Sequence, residues 1–314
     1  MLSSAARFAL VQPRALLLRP RSSCCAVRRL RVTASVAERG ADATAPALGV
    51  GFSAGGLLFP YYVGVVDALV ESRMLDETTR LAGASAGSLI AAAVAAKVPT
   101  NVLLDALKVF SDDVRKHGAR GRLKEALDKT LLAVLPGNAY ELANKRGLFV
   151  AVSRFTGTRV VGDLHSQWES NDDLCQCLLA SCHIPLYFDG VKVGTRYRGE
   201  WVCDGGVTNF LPVPPGVQHV VRVCCFPAYS AAAALGAPGL IDIAPDSPDA
   251  SGAAVDAPYS AARMLQWALT PADDATMDAL RQRGAVDTLR WVERHSEQQR
   301  LVQEARREQT RTPS

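Results

Sequence analysis

The sequence predicts an α/β fold with a mostly parallel central sheet and helices on both faces. Two strand–turn–helix units in succession predict it. Leu48 to Phe52 is a short apolar run that passes through Ser53-Ala54-Gly55-Gly56 into an apolar helical stretch, Leu57 to Met74. Leu81-Ala82 then passes through Gly83-Ala84-Ser85-Ala86-Gly87 into Ser88 to Ala96. Strands joined by such helices lie parallel, with their carboxyl ends on one edge. Composition agrees: 48% of residues are hydrophobic but only 6% aromatic, and the many alanines suit close helix–sheet packing.

The elements follow in order. Pro99-Thr100 ends the second unit and opens an amphipathic helix, Asn101 to His117, with Val102, Leu103, Leu107 and Phe110 as its apolar positions. Arg122 to Leu135 is a further helix, closed by Pro136-Gly137. Gly147 to Phe155 and Thr158 to Leu164 are strands around a Thr156-Gly157 turn. Asn171 to Ser181 is a helix whose acidic start, Asp172-Asp173, suits the helix dipole. A polar segment runs to Glu200, followed by a strand at Trp201 to Cys203 and another at Val217 to Cys225. Residues 226–258 are rich in Ala, Pro, Gly and Asp and read as a flexible loop. The end is helical: Ser260 to Leu269, then Pro271 to Arg283, then Val286 onward, fraying from His295.

Charge divides the chain. Residues 1–37 hold seven arginines and no acid. This leader has the character of an organelle transit peptide, with Val32 to Ala37 as its processing region. Chloroplast import is the expected destination and a mitochondrion the alternative. Residues 38–46 read as a linker, 47–225 as the α/β domain and 259–314 as a C-terminal helical extension. The overall charge of +4 turns negative once the leader arginines are set aside. No basic face suggests nucleic acid, and no run of about 20 apolar residues suggests a membrane span. The cysteines beyond the leader read as reduced core residues. None is spaced for a zinc site, and no metal or other cofactor is expected.

The chemistry centres on Ser85. The G-x-S-x-G string between strand and helix is the pattern of a nucleophile elbow. Gly55 and Gly56 lie at the start of the other helix, where backbone N–H groups can hold an anion. If the strands are parallel, their amides meet the Ser85 hydroxyl as an oxyanion hole meets a nucleophile. Asp204 closes an apolar strand, precedes Gly205-Gly206, and is the candidate base. His183, His219 and His295 are the other candidates, each with a plainer structural or surface reading.

Ser53-Ala54-Gly55-Gly56, Gly83 to Gly87 and Asp204-Gly205-Gly206, in that order, resemble the motifs of the patatin-like phospholipases. Ala180-Ser181-Cys182-His183-Ile184-Pro185 and Arg198-Gly199 resemble the adiponutrin and adipose triglyceride lipase branch. Asp242 to Asp246 and Leu280 to Gly284 resemble it more loosely. The resemblance implies a three-layer patatin-like fold. It implies a Ser85–Asp204 dyad with Gly55 and Gly56 as oxyanion hole and no catalytic histidine. Ala54 departs from the usual first glycine, and Phe210 stands where the family commonly has asparagine. The implied activity is carboxylic ester hydrolysis of acylglycerols or polar glycerolipids through an acyl-serine. The alternatives are a lipid transacylase and a non-catalytic protein that binds lipid droplets or a lipase. The implied partners are the lipid substrate, a peripheral membrane or lipid-droplet surface, and an unidentified protein activator.

A fluorescent fusion of residues 1–37 is expected to enter plastids or, failing that, mitochondria. Cytosolic or secreted fluorescence would reject the transit-peptide reading.

Overall fold

The computed structural model describes residues 48–228, 231, 240–248, 251, 253 and 255–311. These fall in one unit, Gly40–Ser314. The expected leader and linker, and part of the loop expected over 226–258, lie outside the described residues.

A mixed α/β architecture results, with helices flanking a seven-stranded sheet. The strands are β1 (Leu48–Phe52), β2 (Arg80–Ala84), β3 (Leu148–Thr156), β4 (Arg159–His165), β5 (Thr195–Tyr197), β6 (Glu200–Asp204) and β7 (His219–Val223). The helices are α1 (Phe59–Glu71), α2 (Ala86–Ala95), α3 (Thr100–His117), α4 (Leu123–Val134), α5 (Ala139–Arg146), α6 (Asn171–Ser181), α7 (Ala261–Leu269) and α8 (Asp274–Arg311). None of them is long and apolar enough to cross a membrane.

The sheet runs β5-β6-β3-β2-β1-β7, with β4 also on β3. β7, β1, β2 and β3 are parallel, as the two strand–turn–helix units require. β4, β5 and β6 pair antiparallel. β4 covers one flank of β3 along Val150 to Thr156. β2 and β6 therefore share the opposite flank. β2 takes Leu148 to Ala151 and β6 takes Val152 to Arg154. Their carboxyl ends meet head-on, Ala84 beside Ala151 and Asp204 beside Val152.

The core lies between sheet and helices. Val50, Phe52, Leu81, Ile90, Val150 and Leu178 are fully buried in it. α1 is buried over most of its surface, because α8 packs along it. Two glycines set that approach. A Cβ on Gly64 would stand 1.9 Å from the Arg281 carbonyl oxygen, and one on Gly284 would stand 2.1 Å from that of Tyr61. Polar clamps hold the pair. Arg281 binds Asp67 at 2.7 Å, and the Tyr61 hydroxyl donates to the buried Asp287 carboxylate at 3.1 Å. Burial pushes the Asp287 pKa up to about 6, with the Arg283 charge working against it.

Four departures from expectation have physical causes. The break expected between Arg283 and Val286 is absent, since Gly284 serves contact with α1 and α8 runs through it to Arg311. α5 lies in a stretch with too few apolar residues to show a periodic face. β5 was hidden because its hairpin turns on Arg198 and Gly199, both at positive φ, rather than on a stronger turn pair. Within the expected loop, Ile243 bridges to Val223, and the Asp242 carboxylate accepts from the Arg222 amide at 2.8 Å.

Gly284→Ala would gain about 1 kcal/mol from helix propensity alone. Here it is expected to destabilise the protein, by on the order of 1–3 kcal/mol of overpacking. Urea denaturation measures the sign, and a stabilised variant would contradict the close approach of α1 and α8.

Candidate active site

Ser85 occupies the turn between β2 and α2 with φ 52° and ψ −128°. A non-glycine residue held at such angles costs on the order of 1–3 kcal/mol. Its surroundings impose the strain. Gly87 packs so tightly under the turn that a Cβ would stand 2.4 Å from the Phe52 carbonyl oxygen. The Ser85 amide donates to Ser181 Oγ at 2.9 Å, and that hydroxyl donates to the Ala151 carbonyl of β3 at 2.7 Å. The Ser85 carbonyl accepts from Ser88 Oγ at 2.6 Å. The backbone is thus fixed from both sides, and the side chain faces a cavity.

Asp204 ends β6 and is nearly as well buried as Ser85, at 6% and 5% exposure. Its amide donates to the His183 carbonyl at 2.9 Å. Its own carbonyl accepts from Ser153 Oγ at 2.7 Å. Oδ1 accepts the Gly206 amide at 2.8 Å, whereas Oδ2 has no partner within hydrogen-bonding geometry. Burial pushes the carboxyl pKa up to about 6; the nearby Ser85 hydroxyl and the Gly206 amide restrain the rise. The strand ends bring Ser85 and Asp204 together, with no hydrogen bond formed to Oδ2.

Gly55 and Gly56 lie at the turn that opens α1. The Ala54 amide donates to the Phe210 carbonyl at 2.8 Å, which anchors the loop. Among the described residues nothing accepts from the amides of Gly55 and Gly56. Gly56 has φ 53° and backs onto the Ala268 carbonyl of α7. The two sequence departures touch this loop. The Ala54 methyl packs on Gly206, and Phe210, whose carbonyl holds the loop, sets its ring 6.1 Å from that of Phe226.

Ser85 and Gly56 line a cavity of about 130 Å³. Its walls are apolar side chains of α2, α3 and α4, among them Leu89, Leu107, Phe110, Leu127 and Leu131. Cys182 joins them. Burial lifts its thiol pKa well above the usual range, partly offset by the Ser85 and Ser88 hydroxyls. All six described cysteines are free and buried. No cluster able to hold a metal ion occurs among the described residues.

The structure separates the histidines from Ser85. His183 is buried with its ring on Phe188, centroids 5.5 Å apart, and neither ring nitrogen has a hydrogen-bond partner. Burial lowers its pKa. Only its carbonyl reaches the site. His219 pairs with Leu48 at the opposite end of β1 from the elbow, roughly 13 Å of strand away. His295 stacks on Trp291 at 5.1 Å. Ser181 and Ser153, which the sequence reading did not assign to the site, prove to hold the backbones of Ser85 and Asp204.

Residues 51–217 match the family described as patatin-like phospholipase. Human patatin-like phospholipase domain-containing protein 4 is 30% identical over 265 residues, which is 78% of this chain and 96% of that protein. Mouse omega-hydroxyceramide transacylase is 34% identical over 171 residues, 52% of this chain and 28% of that one. Human 1-acylglycerol-3-phosphate O-acyltransferase is 28% identical over 259 residues, 77% of this chain and 50% of that one. The chain thus spans half or less of the transacylase and the acyltransferase.

Ser181→Ala is expected to leave the buried Ser85 amide and Ala151 carbonyl unpaired. The loss expected is about 1–3 kcal/mol of stability in urea denaturation. Unchanged stability would show that the elbow is held in some other way.

Proposed function

The chain belongs to the patatin-like phospholipase family, and we propose that it cleaves carboxylic esters of acylglycerols or polar glycerolipids through an acyl-Ser85 intermediate. One observation supports this above the others. The head-on meeting of β2 and β6 sets the Ser85 hydroxyl beside a buried aspartate with a free oxygen.

The steps follow from the groups. With the acyl chain in the apolar cavity, the ester carbonyl lies over Ser85. Asp204 Oδ2 accepts the Ser85 proton as Oγ attacks the carbonyl carbon. The amides of Gly55 and Gly56 stabilise the oxyanion, in a site dry enough to strengthen that interaction. Collapse breaks the bond to the leaving alcohol, which takes the proton from Asp204. Water then attacks the acyl-serine, with Asp204 taking its proton, and as the bond to Oγ breaks Asp204 returns that proton to Ser85 and the fatty acid is released. A carboxyl raised to about 6 is ionised at neutral pH yet basic enough to take a proton. No histidine takes part.

A second reading replaces water by an alcohol acceptor, which makes the protein a lipid transacylase. Two relatives carry transacylase or acyltransferase names, which favours testing it. Adding an acceptor alcohol and measuring acyl transfer against free fatty acid separates the two. The proposal also places the protein in a chloroplast, or alternatively a mitochondrion, through residues 1–37.

Ser85→Ala is expected to abolish ester turnover and labelling by a fluorophosphonate probe. Asp204→Asn keeps the shape without the base and is expected to lose about 10²–10⁴-fold in turnover. His183→Ala, His219→Ala and His295→Ala are expected to retain substantial turnover. Turnover should fall as pH drops through about 6, where Asp204 takes up its proton. A folded Ser85→Ala protein with near-wild-type turnover would refute the serine mechanism, and a histidine variant as damaged as Asp204→Asn would refute the dyad.

A further inference from the structure

We propose that the α3–α4 turn and the loop after α6 together dock the protein on an anionic lipid bilayer. This rests on the reading of Ser85 as a lipid acyl site. Residues 115–124 carry five arginines and lysines and no acid, on a body whose charge is otherwise negative. Arg115 and Arg122 are engaged by Asp112, Asp274 and Asp113. Arg120 and Lys124 are exposed and meet no carboxylate among the described residues.

The turn is stitched to residues 184–194. Arg120 Nε donates to the Leu186 carbonyl at 3.2 Å, and the Gly121 amide to the Tyr187 carbonyl at 2.8 Å. The loop closes on itself through the Leu186 amide and the Lys192 carbonyl at 2.8 Å. At its tip Leu186, Val191 and Val193 are 50%, 77% and 53% exposed. Lys192 stands among them, 61% exposed and 3.7 Å from Asp189. Leu186 is also held at φ 60°, a strained conformation for leucine that no burial of its side chain explains.

The inner residues of these two segments, Leu123, Ile184, Tyr187 and Phe188, line the cavity that holds Ser85. Their outer residues present apolar tips flanked by cations. That combination binds a charged bilayer: the tips enter the headgroup boundary and the cations meet anionic lipid. Docking there would place the cavity wall against the phase from which an acyl chain must come.

The test is co-sedimentation with vesicles of phosphatidylglycerol and phosphatidylcholine, against phosphatidylcholine alone. It uses the full chain with its seven leader arginines changed to glutamine, so that the leader adds no charge. The parent is expected to prefer anionic vesicles. Lys124→Gln with Lys192→Gln is expected to weaken binding on the order of tenfold, and Val191→Asp at least as much. All should keep turnover of a water-soluble short-chain ester. Variants that bind like the parent, or equal binding to both vesicles, would overturn the docking surface. Ser85→Ala keeps the surface and should bind like the parent. If it binds while no form of the protein turns over any ester, docking stands and the catalytic reading falls. If variants bind unchanged while Ser85-dependent turnover persists, docking falls alone.

Discussion

The site depends on one constraint: β2 and β6 share a single flank of β3. Seven residues of β3 serve two strands that approach from opposite directions. Each ends where the other ends, so the residues just past the junction must be neighbours. Ser85 follows β2, and Asp204 is the last residue of β6. No long side chain reaches across the sheet to join them. The backbone ladder makes the encounter, which is a more rigid way to hold two groups than a pair of loops.

The same junction explains the electrostatics. A strand end packed against another strand end excludes water, and burial raises the Asp204 carboxyl to about 6. An unpaired oxygen in such a place is costly. So is a serine at positive φ. Both are sustained by fixed hydrogen bonds around them, from Ser181 and Ser88 at the elbow and from Ser153 and the His183 carbonyl at the aspartate. These partners come from α2, α6, β3 and the segment after α6, so the fold as a whole holds the two strained groups in place.

Sequence reasoning reached the parallel strands and most helices because glycine turns and apolar runs leave local marks. It named Ser85, Gly55, Gly56 and Asp204 from the same marks. It expected a mostly parallel sheet, but β6, the strand that carries Asp204, is antiparallel to β3 and arrives head-on. Nothing near residue 204 records that direction, since a short apolar run reads the same whether it pairs parallel or antiparallel. Ser153 and Ser181 were invisible for another reason. A serine in an apolar strand or helix end looks like a neutral filler until the backbone group it bonds is known. Ser181 did lie within a string that carried the family resemblance, which is the one signal that could have found it.

The helices after residue 255 belong to the site as much as the matched family region does. The Ala268 carbonyl presses on Gly56 so closely that a Cβ there would lie 2.1 Å from it. Ala268 also lines the cavity, and the Tyr187 hydroxyl donates to the Leu269 carbonyl. α7 therefore buttresses the glycine turn from outside while tying down the loop that walls the cavity. α8 then packs along α1, which follows directly on that glycine turn. The amides of Gly55 and Gly56 can hold a fixed direction only if α1 does not shift. The C-terminal pair, far from Ser85 in sequence, thus supplies the rigidity that the proposed oxyanion site requires.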